Sequence, residues 1–390
     1  MTINFDLIIV GAGALGTFHA YHAAKRGQRV LLLEKDNRPV GATVRNFGQV
    51  VPSGLSGRWF DYGRRSLEIY REIQAQTDIS VRQNGSVYVA SDEAEWSLIN
   101  ELFDRRQAGN YPCELLSAAQ TLTRYPHLRP DYVRGGLLFP DELSVEPDRM
   151  IYRVIDFIVE KYGVTYRPNA TVIDCQSASG RATVTLAGDY CFEAEQVLIC
   201  SGYEFRLLYP TLFANSGLIV SKLQMMQTVP MPGIRLPGNI LTGLTIRRYE
   251  AFSECPSYAH PTTAMAGIAP AHRPEQTRPD HLTELKKWGI HILFKQATDG
   301  SFIIGDSHEY APVNQIDNLG FDTNDAVNAL IITEAQRIVD FPVERIARTW
   351  AGFYAQTPAE IFEHNVDDHI RIVTGIGGKG MTSAAGYAEG

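Results

Sequence analysis

The chain has 390 residues, of which 44% are hydrophobic and 21% are charged. This composition is ordinary for a globular protein, and the length accommodates roughly two or three domain-sized units. The net charge of −8 argues against a nucleic-acid partner and against an anionic membrane surface, because both favour basic patches.

The five cysteines are widely spaced, and none of them belongs to a C-x-x-C pair. This pattern disfavours a zinc site and a disulfide framework, so we predict no metal site. The first residues lack a basic and long apolar signal region, and no stretch reaches the roughly 18 apolar residues of a membrane span. We therefore expect a cytoplasmic protein without a membrane partner, while the sequence leaves the oligomeric state open.

The first 34 residues predict a dinucleotide-binding βαβ unit. A buried strand is predicted over residues 5–10, a helix over residues 17–26 and a second buried strand over residues 29–34. The first strand and the helix are joined by a G-x-G-x-x-G loop, which is significant in this position between strand and helix. The loop consists of Gly11, Ala12, Gly13, Ala14, Leu15 and Gly16.

Each glycine of this loop has a defined task in a nucleotide site. Gly11 permits the tight turn, Gly13 lets the backbone approach a pyrophosphate, and Gly16 allows close packing of helix and sheet. The pyrophosphate then lies on free N–H groups at the positive end of the helix. Glu34, at the end of the second strand, is placed to accept hydrogen bonds from a ribose hydroxyl and disfavours NADP.

A second glycine cluster, residues 375–382, follows a predicted strand at 370–373 and precedes a short helix. The ten residues after Gly380 leave no space for another βαβ unit, so we expect a single nucleotide fold. A helix start in this position, together with Lys379, suits the negative charge that develops on a flavin during reduction. The cluster therefore favours FAD, whereas the first loop alone fits FAD or NAD.

The remaining pattern predicts an α/β (α+β) protein with two interleaved domains. A hairpin is predicted at 81–90 and a helix at 320–340, while proline-rich connections between 218 and 305 indicate an antiparallel sheet. The predicted Rossmann-like FAD-binding domain comprises residues 1–80, 135–217 and 306–390. The predicted substrate domain comprises residues 81–134 and 218–305.

Several motifs along the whole chain together carry a family resemblance. They include the first glycine loop with Glu34, the segments 41–48, 198–202 and 300–305, Val172, Trp350-Ala351-Gly352 with Thr357-Pro358, and the second glycine cluster. In these motifs the chain resembles the D-amino-acid-oxidase-like family of FAD-dependent amine oxidoreductases, which includes glycine and sarcosine oxidases.

The resemblance implies FAD contacts for specific residues. Those implied at the pyrophosphate and ribose are Gly11, Gly13, Ala14, Leu15, Gly16, Glu34, Lys35, Ser201 and Gly202, with Val172 at the adenine. Those implied beside the flavin ring are Arg45, Asn46, Phe47, Gly48, Gly378, Lys379, Gly380, Met381 and Thr382. Sarcosine oxidases of this type attach FAD through a cysteine before the Thr-Pro pair, and other relatives use a histidine. This chain has no cysteine in 352–356 and no histidine in 41–48, so we predict non-covalent FAD.

The resemblance further implies oxidation of a C–N bond in a small amine, with oxygen as the acceptor that yields hydrogen peroxide. Lys379 and Arg45 are the predicted catalytic cations. An acid group on the substrate requires a cation, for which the planar fork of arginine is well suited. The candidates are Arg247 and Arg248, which we expect on a strand with one side chain facing the site.

Further predicted substrate contacts are Tyr258 and His260 in a lid, the cavity walls Trp350 and Tyr354, and His308 after a hairpin. Ordinary surface or core roles remain alternatives for each of them.

The pairing of residues 44–49 with residues 305–310 also resembles a bacterial branch associated with phosphonate catabolism. That resemblance implies an aminophosphonate substrate, such as 2-aminoethylphosphonate or its N-methyl form. A carboxylated amine such as glycine or sarcosine is the equal alternative. An NAD-dependent dehydrogenase and a flavin-binding protein without turnover are the competing functions.

Overall fold

The computed structural model describes residues 5–178, 180–258 and 281–390. In chain order, the strands of this part of the chain are β1 (Phe5–Val10), β2 (Val30–Leu33), β3 (Gln49–Val50), β4 (Ser86–Ala90), β5 (Glu114–Ser117), β6 (Gly135–Phe139), β7 (Leu143–Ser144), β8 (Thr165–Arg167), β9 (Val172–Ala178), β10 (Arg181–Leu186), β11 (Cys191–Ile199), β12 (Ile219–Thr228), β13 (Asn239–Leu241), β14 (Leu293–Gln296), β15 (Phe302–Gly305), β16 (Glu309–Pro312), β17 (Ile346–Gln356), β18 (Phe362–Asn365) and β19 (Ile370–Thr374).

The helices are α1 (Ala14–Lys25), α2 (Gly57–Gln74), α3 (Glu93–Ala108), α4 (Ala118–Arg124), α5 (Pro147–Tyr162), α6 (Pro210–Ala214), α7 (Gly243–Ile246), α8 (Glu250–Ser253), α9 (His281–Lys287), α10 (Asp325–Ile338) and α11 (Gly380–Tyr387). Among the described residues, none of the helices has both the length and the apolar character that a membrane crossing requires.

The first sheet has eight strands and contains the predicted βαβ unit. Its main path runs β18-β19-β11-β1-β2-β8, and β9 and β10 extend it from β11. Strand β1 pairs in parallel with both β2 and β11, so both of its edges are hydrogen-bonded and it lies inside the sheet. Helix α1 packs against α5 and α11 on one side of this sheet. The strand–loop–helix order predicted for the N-terminus is confirmed.

The second sheet has nine strands in the main order β16-β12-β15-β14-β13-β4-β6-β5, and β17 pairs along β12. In the described chain, its strand pairs are antiparallel apart from β13 with β4, which run parallel. The predicted hairpin at 81–90 is wrong, because β4 pairs with β6 and β13. Arg82 makes only an isolated bridge, to Ser144.

The sheets draw their strands from more segments than the sequence pattern indicated. Strand β6, and strands β16 and β17 after residue 306, pair in the second sheet, although they lie in segments assigned to the FAD-binding domain. The reason is long-range pairing: β17 follows β12 from Ile219 opposite Gln356 to Thr228 opposite Ile346. The predicted helix at 320–340 is shorter, because Asn324 accepts a side-chain bond from Ala326 N–H and caps α10. Most of the predicted proline-rich connection at 256–279, including His260, lies outside the described residues.

Candidate functional site

A cavity of about 760 Å³ lies between the two sheets. Its wall includes Gly11 and Glu34 from the first sheet, and Arg248, Asp306 and Tyr354 from the second-sheet side. The volume falls within the range of about 300–1,000 Å³ that is usual for cofactor and ligand pockets. The segments predicted to bind the nucleotide and those predicted to contact the substrate therefore face the same cavity.

The first glycine loop forms a cradle that side chains would fill. Gly11 has φ +101°, and a Cβ atom there would lie 2.4 Å from the carbonyl oxygen of Cys200. A Cβ atom on Gly16 would lie 1.9 Å from the carbonyl oxygen of Gly11. Gly11 is therefore required by both its conformation and its close approach, and Gly16 by close packing alone. The loop residues that line the cavity are Gly11, Gly13, Ala14 and Leu15, whereas Gly16 packs behind them.

Glu34 is held in a defined orientation at the end of β2. Its Oε2 atom accepts a hydrogen bond from Ala12 N–H at 3.1 Å, and Oε1 accepts one from Asp36 N–H at 3.1 Å. Lys35 is paired with Asp36 at 2.9 Å and also lines the cavity. The same end of the cavity is lined by Val172, Ser201 and Gly202. These predicted contacts are thus brought together.

The segment at 41–48 is folded by its own asparagine. Asn46 Nδ2 donates to the carbonyl oxygen of Thr43 at 2.7 Å, and Asn46 Oδ1 accepts from Gly48 N–H at 2.7 Å. Trp350 Nε1 donates to the carbonyl oxygen of Arg45 at 3.1 Å, which ties the segment to β17. Arg45, Asn46 and Phe47 line the cavity, whereas Gly48 and Trp350 lie behind its wall.

The second glycine cluster closes the cavity from the C-terminal side. A 3₁₀ turn at Gly377–Lys379 leads directly into α11, and the residues that line the cavity here include Gly378, Lys379, Gly380, Met381 and Thr382. Thr382 Oγ1 accepts from Val51 N–H at 3.2 Å. Lys379 Nζ lies 3.3 Å from Glu250 Oε1 and 5.2 Å from the ring centroid of Trp59. The lysine is therefore held between an acidic partner and an aromatic ring.

The two adjacent arginines follow the short helix α7 and do not lie on a strand, so the predicted alternation is wrong. Arg247 is turned away from the cavity, where Nε contacts Glu95 at 2.8 Å and Nη2 contacts Asp92 at 2.6 Å. Arg248 lines the cavity and donates from Nη2 to the hydroxyl of Tyr310 at 2.9 Å. Many protein atoms surround the Arg248 side chain, yet it keeps an exposed surface, as is usual for a residue in the wall of a cavity. The structure therefore places Arg248, rather than Arg247, at the site.

His308 lies in the wall of the cavity and is buried, not in a surface turn. Beside it the structure brings together two residues that the sequence did not single out, Asp306 and His291. His291 Nδ1 is 3.0 Å from Asp306 Oδ1, yet neither atom has a hydrogen-bond partner among the described residues. His308 Nδ1 lies 3.8 Å from the same carboxylate oxygen and 3.3 Å from the carbonyl oxygen of Gly289.

Burial changes the protonation behaviour of this group. It raises the pKa of Asp306 to about 7, although the positive charge of Arg248 opposes the shift. Burial also lowers the pKa of both His291 and His308, and Arg248 adds to that effect. Both imidazoles are therefore neutral near pH 7.

The other predicted substrate contacts have different positions. Tyr354 lines the cavity from β17, and burial raises its pKa. Tyr258 lies outside the cavity wall, where its hydroxyl donates to the carbonyl oxygen of Arg247 at 2.7 Å. Tyr249 is a wall residue that the sequence did not reveal. Its position next to Arg248 is the available signal in the sequence, but the pattern there predicts a strand where the structure has the turn after α7.

A glycine cradle at the start of a βαβ unit, opening into a cavity walled by a second sheet, is the architecture of a dinucleotide-dependent oxidoreductase. The chain belongs to the family described as FAD dependent oxidoreductase, whose sequence model matches residues 6–389. This match confirms the resemblance seen in the sequence and decides for FAD over NAD.

Named relatives share moderate sequence identity with the chain. An opine oxidase subunit from Agrobacterium tumefaciens (strain Ach5) is 23% identical over 92% of this chain and 85% of the relative. Glycine oxidase from Geobacillus kaustophilus is 25% identical over 52% of this chain and 55% of the relative. Human mitochondrial sarcosine dehydrogenase is 28% identical over 36% of this chain, and the match spans only 16% of that longer protein.

Solved structures share the fold over nearly the whole chain. Glycine oxidase from Geobacillus kaustophilus superposes with a TM-score of 0.75 at 16% identity, covering 99% of this chain and 93% of the other. L-proline dehydrogenase from P. horikoshii also gives a TM-score of 0.75, at 17% identity, covering 100% and 92%. The predicted α/β fold with a Rossmann-like FAD-binding unit is confirmed.

The residues present fit FAD. The cradle at Gly11 and Gly13 leaves the start of α1 open to a diphosphate, as a nucleotide site requires. Glu34, oriented by two backbone N–H groups, lines the same part of the cavity. The start of α11 with Lys379 lines the cavity as well, where positive charge suits a flavin ring.

Proposed function

We propose that the protein oxidises a small amine that carries an anionic group, at the C–N bond, with non-covalently bound FAD. The observation that carries this proposal is the shared cavity, in which the nucleotide cradle and the cation of Arg248 face the same space. The relatives support it, since opine oxidase, glycine oxidase and sarcosine dehydrogenase are all named for amine substrates.

Bound FAD would supply the hydride acceptor for the carbon next to the amine nitrogen, and water would then hydrolyse the resulting imine to a carbonyl compound and a free amine or ammonia. The chain itself supplies binding and orientation. We assign the diphosphate and ribose to the cradle, Glu34 and Lys35, and the flavin ring to residues 45–48 and 378–382. Lys379 and Arg45 supply positive charge at that ring. Oxygen is the proposed electron acceptor, with hydrogen peroxide as product.

Arg248 is proposed to hold the anionic group through its planar fork. A carboxylate presents two oxygens, as in glycine or sarcosine. A phosphonate presents three oxygens and more negative charge, and hydroxyls of Tyr310 and Tyr354 lie near Arg248 to serve it. Both classes therefore remain in the proposal, and 2-aminoethylphosphonate and its N-methyl form stand for the second. The cytoplasmic location expected from the sequence stays a prediction.

The test is anaerobic bleaching of the flavin. The yellow holoenzyme is mixed with glycine, sarcosine, D-alanine, proline, 2-aminoethylphosphonate or its N-methyl form, and absorbance near 450 nm is followed. We expect at least one anionic amine to bleach the flavin and to yield peroxide when air is admitted. Acid denaturation should release the flavin into the supernatant. A holoenzyme that no amine in this panel bleaches would instead support a flavin-binding protein without turnover.

A further inference from the structure

The cavity contains a second set of polar groups that the anion-binding role of Arg248 does not use. Asp306, His291 and His308 are all buried, and one candidate ligand atom from each lies within 4.8 Å of the others. His291 Nδ1 and Asp306 Oδ1 are buried without a hydrogen-bond partner among the described residues. These two atoms have almost no accessible surface, but the Asp306 side chain as a whole is 10% exposed and lines the cavity, so a ligand can reach its carboxylate there. A buried carboxylate is costly without partners, which favours a ligand that donates hydrogen bonds to it.

The charge of these groups specifies the ligand. Arg248 and Asp306 carry opposite charges in one cavity, and no ion pair within 4.0 Å joins these two described residues. Such a separated pair is complementary to a zwitterion, whose anionic end lies at Arg248 and whose cationic end lies at Asp306. The neutral imidazoles have an unprotonated nitrogen each, which accepts a hydrogen bond. The carboxylate and the two imidazoles lie close together and offer hydrogen-bond acceptors to the N–H bonds of an ammonium group.

We propose that Asp306, His291 and His308 form an ammonium-binding site, in which Asp306 removes the proton that blocks amine oxidation. This inference rests on the proposed function, because it concerns the amine of that substrate. An amine with a pKa near that of lysine, about 10, is protonated at pH 7 and has no free lone pair. In the step, an N–H bond breaks, its electron pair stays on nitrogen, and an O–H bond forms at the cavity-facing oxygen of the Asp306 carboxylate. The carboxylate becomes neutral, and no electron acceptor takes part.

The surroundings of Asp306 suit this exchange. Charged and titratable side chains face Asp306 from several elements. Arg248 and Tyr249 come from the turn after α7, and His291 lies just before β14. His308 lies between β15 and β16, Tyr354 lies on β17, and Tyr310 contacts Arg248. Burial raises the pKa of Asp306 to about 7, which brings the acceptor nearer to the amine. The cation of Arg248 also disfavours a divalent metal in this position, although two histidines and a carboxylate are a metal-binding set.

The main test compares Asp306→Asn with Asp317→Asn, an exposed aspartate paired with Arg206. Anaerobic bleaching by the most active amine is timed between about pH 6 and pH 10. In the wild type and in D317N, the rate should rise with pH through about 7, because only the ionised carboxylate accepts a proton. In D306N, the rate should fall by about 100-fold or more, and its rise should move towards the amine pKa of about 10.

Two measurements do not depend on turnover. Dithionite-reduced enzyme is titrated in a calorimeter with the active amine and with its amine-free analogue, acetate for glycine or sarcosine and ethylphosphonate for an aminophosphonate. D306N should weaken binding of the amine by about tenfold or more and leave the analogue unchanged. The wild type, titrated near pH 8 in buffers of different ionisation enthalpy, should release no proton on binding the amine. Release of one proton per amine would show that the free base binds without this acceptor.

The outcomes separate the inference from the proposed function. A D306N enzyme with the wild-type rate and pH profile overturns the inference alone, because the amine is still oxidised. Stoichiometric binding of Zn²⁺ that is lost in D306N, with bleaching that depends on the metal, also overturns it. A wild-type enzyme that no amine bleaches overturns both. Should D306N lose its flavin, the inference is tested by the number of protons that the wild type releases when it binds the amine.

Discussion

Arg247 and Arg248 are neighbours in the chain, yet their side chains enter different environments. Arg247 contacts Glu95, whose side chain is 4% exposed, and Asp92, whereas Arg248 faces the cavity beside Tyr310. The sequence offers both arginines as candidates for an anion site and does not decide between them, because its pattern predicts a strand where the structure has the end of a short helix. The end of a four-residue helix fixes their directions, and such a short element leaves little periodic signal.

The Arg248→Ala enzyme should lose affinity for an anionic amine. A hydrogen-bonded charge contact contributes about 1.5–3 kcal/mol, so the KM should rise about 10- to 100-fold. Steady-state peroxide production at varied amine concentration measures this change. Arg247→Ala is the matched control: it should lower the melting temperature by removing the Glu95 and Asp92 contacts and leave the KM unchanged. Equal KM values in the two variants would contradict the assignment.

At the scale of elements, the sequence predicts helices and strands that depend on adjacent residues, but it does not predict which distant strands pair with each other. The strand–glycine–helix start and helix α5, with Pro147 at its first turn and Gly163 in the left-handed conformation after it, were visible because each depends on adjacent residues. The membership of β6 and β17 in the second sheet was not visible. Strand β17 pairs with β12, which lies more than a hundred residues earlier in the chain, and β6 pairs with β4 across the segment that contains α3 and α4.

The candidate site likewise contains residues that local sequence predicts and residues that only long-range pairing brings together. Most of the proposed cofactor contacts belong to two glycine loops with characteristic spacing, which is why the sequence alone predicts them. Asp306 lies within the motif at residues 305–310, but the sequence does not indicate its neighbour, because His291 is brought beside it only by the pairing of β14 with β15. A single aspartate or histidine in a sequence has no distinctive pattern, and proximity alone gives the cluster its chemistry.

The first glycine loop allows a test that separates conformation from close approach. Gly11 and Gly27 both have positive φ, at +101° and +87°, but only at Gly11 would a Cβ atom meet the Cys200 carbonyl oxygen, at 2.4 Å. Gly27→Ala should therefore cost about 1 kcal/mol of stability and keep the flavin. Gly11→Ala should displace the loop and lose most bound FAD, measured as absorbance near 450 nm relative to that at 280 nm. Equal flavin content in both variants would contradict the cradle.

At the scale of the whole molecule, Glu142 joins distant segments of the chain. This fully buried carboxylate lies between β6 and β7, and its Oε1 accepts from Ser53 N–H at 2.8 Å and from the Tyr111 hydroxyl at 3.3 Å. Its Oε2 atom has no partner among the described residues. Burial raises the pKa of Glu142 to about 7, despite the opposing hydrogen bonds from Ser53.

This pKa makes stability depend on pH in a defined direction. The folded protein keeps the proton on Glu142 up to about pH 7, whereas the unfolded chain releases it near pH 4.5. The stabilisation from the protonated carboxyl group is therefore complete below pH 4.5 and is lost as the pH rises through 7. Glu142→Gln stays neutral at every pH and should gain stability relative to the wild type between about pH 5 and pH 8, by no more than about 3 kcal/mol. Melting temperatures across this range measure the gain. The control Glu114→Gln, at an exposed carboxylate on β5, should follow the wild-type curve. Parallel curves for E142Q and the wild type would mean that Glu142 ionises as freely in the folded protein as in the unfolded chain.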